Sequence, residues 1–165
     1  MGHMIARLAA GWAVLGGVLV LSIMAVTSIN VSAFTLDRIV RPFGIDVAGL
    51  PGYEDYVRLA VSSAALMFFP LCQARRGHVT VDLFVSWLPP AVRQALDRLW
   101  LFAIAGLAAF LAYWMTIGML ETRSDGALSP VLGWPEWPFY APGVLSLLLW
   151  AAVALSQILG PEPDA

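Results

Sequence analysis

The sequence predicts an all-α integral membrane fold: four transmembrane helices with an amphipathic, interfacial helix between the second and the third. Three observations carry that prediction. Hydrophobic residues fill 60% of the 165 positions and charged residues 12%, about half the charged share of a soluble domain, and the mean hydropathy of +0.80 leaves no water-soluble way to bury the chain. Four apolar runs are uninterrupted by charge, from Leu8 to Ile29, Leu59 to Ala74, Leu99 to Leu120 and Pro138 to Gly160. Between the second and third runs the chain mixes charge with Val79, Val81, Leu83, Phe84, Val85, Trp87 and Leu88, the composition of a segment that lies on a membrane rather than through it.

A bilayer core needs about 20 residues of helix. Three runs meet that length, and the second reaches it by extending back through Tyr56, Val57 and Arg58, whose guanidinium can snorkel to the headgroups. The helices are therefore expected near residues 8–36, 54–74, 90–120 and 138–160. Met1, Gly2 and His3 read as a cloning remnant, and residues 4–165 as one four-helix membrane domain. The first run is too long for a signal-peptide core of ~7–15 residues, although Val31, Ser32 and Ala33 resemble a cleavage site, so it reads as an uncleaved helix.

The connections differ in character. From Asp37 to Tyr56, Pro42, Gly44, Gly49, Pro51 and Gly52 break helix and make a loop. The third connection, Glu121 to Trp137, is rich in Gly, Pro and Trp, with Trp134 and Trp137 placed as interfacial anchors. In the second, helix restarts at Pro89-Pro90, with Val92, Leu96 and Leu99 at i, i+4 and i+7, and Pro90 suits a first helical turn. The alternation from Val79 to Val85 also fits a strand. A short helix near residues 81–88 is preferred, because an open strand edge at a membrane leaves backbone groups without partners.

Chemistry-bearing residues are scarce. No Asp, Glu, Lys, Arg or His lies within the four runs, whereas carriers of ions or anions place such groups on a cavity. The near-neutral balance of 9 basic and 11 acidic residues provides no field for nucleic acid. Neither a paired-His motif, nor an acidic cluster at metal-ligand spacing, nor a Cys pair is present, so no catalytic, cofactor or metal site is expected. Cys72, inside an apolar run, reads as packing. Pro70 frees the carbonyl of Leu66, which admits either a backbone cation site or a plain kink; the kink is the preferred reading. Small residues recur at four-residue spacing, as Ala9, Ala13 and Gly17, Ala60 and Ala64, Ala105 and Ala109, and Ala108 and Ala112, and such rows let helix backbones approach closely.

Arginines divide five to four. Arg7, Arg75, Arg76, Arg93 and Arg98 share the side of the termini, and Arg38, Arg41, Arg58 and Arg123 lie opposite. The lean is toward cytoplasmic termini, helped by Arg75 and Arg76 standing directly against the second run. There Arg75, Arg76 and His78 follow the span where anionic headgroups would hold the basic pair, Gly77 would let the chain turn from spanning to lying flat, and Asp82 would either cap the interfacial helix or pair with an Arg.

The stretch Tyr53-Glu54-Asp55-Tyr56-Val57-Arg58-Leu59, the run from Phe69-Pro70-Leu71-Cys72-Gln73-Ala74 through Arg75-Arg76-Gly77-His78-Val79-Thr80-Val81-Asp82-Leu83, and the later Leu88-Pro89 resemble the small membrane subunit of tripartite ATP-independent periplasmic (TRAP) transporters. The central third carries the motifs; the rest agrees in length, span count and the amphipathic connection. The resemblance implies a bacterial inner-membrane protein with both termini cytoplasmic. It also implies a non-catalytic subunit that scaffolds a large multi-span subunit, in sodium-driven uptake of an organic acid delivered by a periplasmic binding protein. Membrane lipids are the other expected partner. Arg75, Arg76, Gly77, His78 and Asp82 then form a lipid- or subunit-interface motif, and Arg41, Glu54, Asp55, Arg123 and Asp125 are candidate periplasmic docking residues. The runner-up is a self-contained small carrier or channel working as an oligomer. Against it, the small multidrug carriers rely on an embedded Glu in their first helix, and the run from Leu8 to Ile29 has none.

Overall fold

The computed structural model describes residues 2–75 and 89–159. The predicted interfacial helix at 81–88, with Arg76, Gly77, His78 and Asp82, lies outside them. All regular structure among the described residues is helical, and four helical stretches are long and apolar enough to cross a membrane: Met4–Phe43, Tyr53–Ala74, Ala91–Ser124 and Trp137–Leu159.

Helix α1 runs Gly2–Val40 without interruption and ends in a 3-10 turn at Arg41–Phe43, where Pro42 ends the regular hydrogen-bond ladder. Its 39 residues measure about 58 Å, well beyond a hydrocarbon core of about 30 Å, so the helix crosses tilted or extends past the core. The second span is two helices, α2 at Tyr53–Leu66 and α3 at Phe69–Ala74. Pro70 has no N–H to give the carbonyl of Leu66, and the ladder shifts to a Phe68 N–H to Ala65 carbonyl bond spanning three residues instead of four before resuming with Cys72 to Phe68. Met67 and Phe68 keep right-handed helical angles. The feature is thus a kink and not an unwound segment. Helix α4 spans Pro90–Ser124, with extended Pro89 preceding a proline in the first turn. A 3-10 turn at Trp137–Tyr140 leads into α5, Ala141–Leu159.

Helix α5 is the hub, in contact with α1, α2, α3 and α4. Against α4 it sets Leu147, Trp150, Ala151 and Ala154 into a row of Ile104, Ala105, Ala108 and Ala112. Three of those four are alanine, which brings the two backbones close enough for extensive van der Waals contact, the main driving force between helices in lipid. Of the two alanine rows expected on this helix, Ala108 and Ala112 pack inward, whereas Ala105 does so without Ala109, which is exposed.

Helix α1 makes its closest approach through Ala9, Ala13 and Gly16. The third member of the row is Gly16 and not Gly17, because seven residues bring a helix nearly two full turns round, whereas the eighth rotates off the face. A Cβ on Gly16 would stand 2.8 Å from Cβ of Met67, and one on Gly17 would meet nothing within 4 Å. Across the same interface Ser22 and Tyr56 share a hydroxyl–hydroxyl bond of 2.5 Å, and the indole N–H of Trp12 donates to Ser146 Oγ of α5 at 2.8 Å.

This asymmetry is measurable. Gly16→Leu is expected to destabilise the bundle by roughly 1–3 kcal/mol through overpacking, read as a lowered thermal midpoint in detergent. Gly17→Leu, one residue away, should change the midpoint little, and equal effects from the two substitutions would contradict this packing.

Candidate functional site

Two polar assemblies stand at opposite ends of the bundle. At the rim formed by the 41–52 and 125–140 connections, the central group is the carboxylate of Asp55, 6% exposed. The start of α2 aims it at the third connection, where Oδ2 accepts the backbone N–H groups of Val131 at 2.8 Å and Leu132 at 2.9 Å. Paired amides satisfy a buried carboxylate with charge-assisted bonds. Gly52, just before the helix, has φ of +76°, and a Cβ there would fall 2.5 Å from Leu132 Cγ. Both the left-handed backbone and the close approach therefore demand glycine.

The connection that Asp55 grips is itself closed. Ser129 N–H donates to the Trp134 carbonyl at 2.8 Å, Glu136 N–H to that of Ala127 at 3.2 Å, and Trp134 N–H to Ser129 Oγ at 3.1 Å. Arg58 forms an ion pair with Glu136, Ser63 Oγ donates to the Phe139 carbonyl, and Trp134 lies edge-on to Tyr56 and stacked over Phe139. The first connection is fastened to α1 instead. Asn30, 1% exposed, accepts the Leu50 N–H at 2.9 Å, and Asp37 accepts that of Val47 at 2.9 Å.

The expected docking residues occupy this rim in different ways. Arg41 and Asp46 stand 3.9 Å apart, both largely exposed. Glu54 is exposed and accepts the Tyr53 hydroxyl at 3.1 Å. Arg123 lies 5.0 Å over the ring of Trp137, a cation–π contact, and Asp125 is exposed just past the end of α4. Asp55 alone turns inward, its carboxylate committed to the third connection.

The other assembly lies at the end of α3, on the side of the termini. Gln73, 2% exposed, donates from Nε2 to Gln157 Oε1 at 2.7 Å, while Gln157 Nε2 donates to the Gln73 carbonyl at 2.8 Å. The indole N–H of Trp150 donates to Gln73 Oε1 at 3.2 Å, and Phe69 tilts against the same indole, with ring centroids 5.1 Å apart. Two residues after this clasp comes exposed Arg75, the one member of the predicted interface motif among the described residues. Both glutamines are neutral, so the lack of ionisable groups in the apolar runs does not reveal this network. The available signal was their presence inside otherwise apolar spans, where amides pair across helices.

Asp55→Ala is expected to cost roughly 1–3 kcal/mol by stranding two backbone donors. The local readout is faster hydrogen exchange at the Val131 and Leu132 amides; unchanged exchange there would show that the carboxylate does not hold the loop.

No group of three or more His, Cys, Asp or Glu side chains capable of holding a metal ion occurs among the described residues. Searches of curated proteins and of solved structures returned no match. The family profile described as "Tripartite ATP-independent periplasmic transporters, DctQ component" matches residues 31–162. That range runs from the C-terminal part of α1 through α5 and takes in both polar assemblies apart from Asn30. The chain is a membrane protein that belongs to the DctQ component family of tripartite ATP-independent periplasmic transporters.

Proposed function

We propose that this chain is a non-catalytic scaffold: it holds the large, substrate-translocating membrane subunit in place during sodium-driven, binding-protein-dependent uptake of an organic acid. The observation that carries this reading is how the buried polar side chains of the spans are spent: among the described residues only Asn30 Nδ2 is left without a hydrogen-bond partner. Gln73, Gln157 and Trp150 satisfy one another, Ser63 and Ser146 bond backbone carbonyls, and Ser22 and Tyr56 pair. Donors and acceptors engaged in holding helices together are not available to coordinate a moving ion or carboxylate. The apolar surface points the other way. Leu107, Phe110, Tyr113 and Trp114 of α4 are exposed, a broad face for lipid or a neighbouring helix.

The termini are assigned to the cytoplasm and the rim around Asp55 to the periplasm. Arg41, Glu54, Arg123 and Asp125 then present mixed charge to a binding protein, a pattern that suits a transient interface. Asp55 would act through the loop it shapes. On the cytoplasmic side Arg75, Arg76, Gly77, His78 and Asp82 are assigned to lipid phosphate or the large subunit, with residues 81–88 lying along the surface.

Two experiments test this. Purified chain in liposomes with an inward sodium gradient is expected to take up no organic acid, and uptake should appear only with the large subunit and the binding protein added. Sodium-driven, substrate-specific uptake by this chain alone would overturn the scaffold role. Replacing both Arg75 and Arg76 by Ala is expected to lower the yield of the assembled complex with substrate preference unchanged, and an altered preference would remove these residues from the interface.

A further inference from the structure

Helices α2 and α4 each pack on α5, and between them a groove of about 330 Å3 opens, with Leu59, Ser62, Met115, Phe139 and Tyr140 on its walls and the Arg58–Glu136 ion pair at its rim end. Away from that rim the lining residue Met115 lies beside Leu66, both side chains coming over Gly143. From Arg58 to Leu66 the helix rises about 12 Å, most of the ~15 Å that one leaflet contributes to a ~30 Å hydrocarbon core. The charged end lies in the layer of Trp134 and Tyr56, the aromatic level of a membrane interface.

We infer that this groove is a binding site for one phospholipid of the phosphoethanolamine class, its acyl chain between α2 and α4 and its headgroup on the Arg58–Glu136 pair. The ion pair selects the headgroup. Arg58 remains 57% exposed, and a guanidinium has five N–H donors, so it can take a phosphate while holding Glu136. Glu136 in turn accepts a primary ammonium. A phosphoglycerol headgroup has the phosphate but sets no cation against Glu136, and a choline headgroup has no N–H to donate. The Ser62 and Tyr140 hydroxyls add polar atoms along the groove. The inference requires only that the chain lie in a bilayer. It does not depend on the scaffold role, so the outcome of the transport experiment leaves it standing or falling by itself.

Native mass spectrometry of the full chain tests it, after incubation in detergent with equal amounts of dioleoyl phosphatidylethanolamine, phosphatidylglycerol and phosphatidylcholine. The ethanolamine lipid is expected as a single retained adduct, favoured by roughly tenfold. Ser62→Trp, which fills the groove, should abolish it, while Leu107→Trp on the exposed face of α4 should not. Glu136→Gln leaves the groove volume unchanged and should let phosphatidylglycerol compete equally, which keeps the test decisive even if the Ser62 variant fails to fold. Equal retention of the three lipids by the unaltered chain, a preference for phosphatidylglycerol, or an unchanged preference in Glu136→Gln would overturn the proposal. So would cross-linking of Ser62→Cys, in native membranes, to a partner polypeptide seated in the groove.

Discussion

Helices already in lipid gain nothing from leaving water, so their association depends on how closely their backbones approach. In this chain that constraint falls on α5. Its face of Ala151 and Ala154 meets Ala105, Ala108 and Ala112 of α4, and Gly143 lets Leu66 and Met115 converge over it. Each of the other four helices touches α5, and α1 packs in addition, and more extensively, on α2 and α3. A bundle organised about a single central helix differs from one of four equivalent sides: α4 is held along one face and leaves a large aromatic surface outward, while α2 and α4 stand far enough apart to leave a groove.

Polar side chains then specify what apolar packing leaves loose. An alanine seam tolerates sliding, but a hydrogen bond in a low-dielectric setting does not, because a displaced donor has no water to turn to. The Gln73–Gln157–Trp150 clasp fixes the register of α3 against α5 on the side of the termini, just beyond the Pro70 kink that would otherwise allow α3 to swing. Asp55 does the same at the rim, fastening a connection of 3-10 and irregular backbone to the first turn of α2. Both ends of the second span are thereby anchored, and the chain reaches Arg75 from a fixed point.

Much of this was legible from one-dimensional pattern. Four runs free of charge, Pro and Gly clustered between them, and the order of the Glu54-Asp55, Arg75-Arg76-Gly77-His78 and Asp82 motifs were enough to point to an all-helical membrane protein and to its family. The same pattern misjudged finer matters. A spacing of four suggested Gly17 as the close-packing glycine, while the interface uses Gly16. Glu54 and Asp55 are adjacent and alike in charge, yet successive helical residues point about 100° apart, so one faces water and the other the loop it holds.

By itself, then, the sequence determined the features that solvent and covalent chemistry impose: which segments are apolar enough to cross lipid, where Pro70 interrupts a backbone ladder, and where glycine is obliged to turn the chain. Which helix becomes the centre, which polar residues find one another, and where a groove remains were decided only by the tertiary structure. Asp55 meets Val131 and Leu132, Arg58 meets Glu136, and Gln73 meets Gln157, each pair far apart along the chain. Hydropathy and spacing act within a span, whereas a hydrogen bond needs two atoms within about 3 Å, and no periodicity along the chain encodes which distant spans supply them.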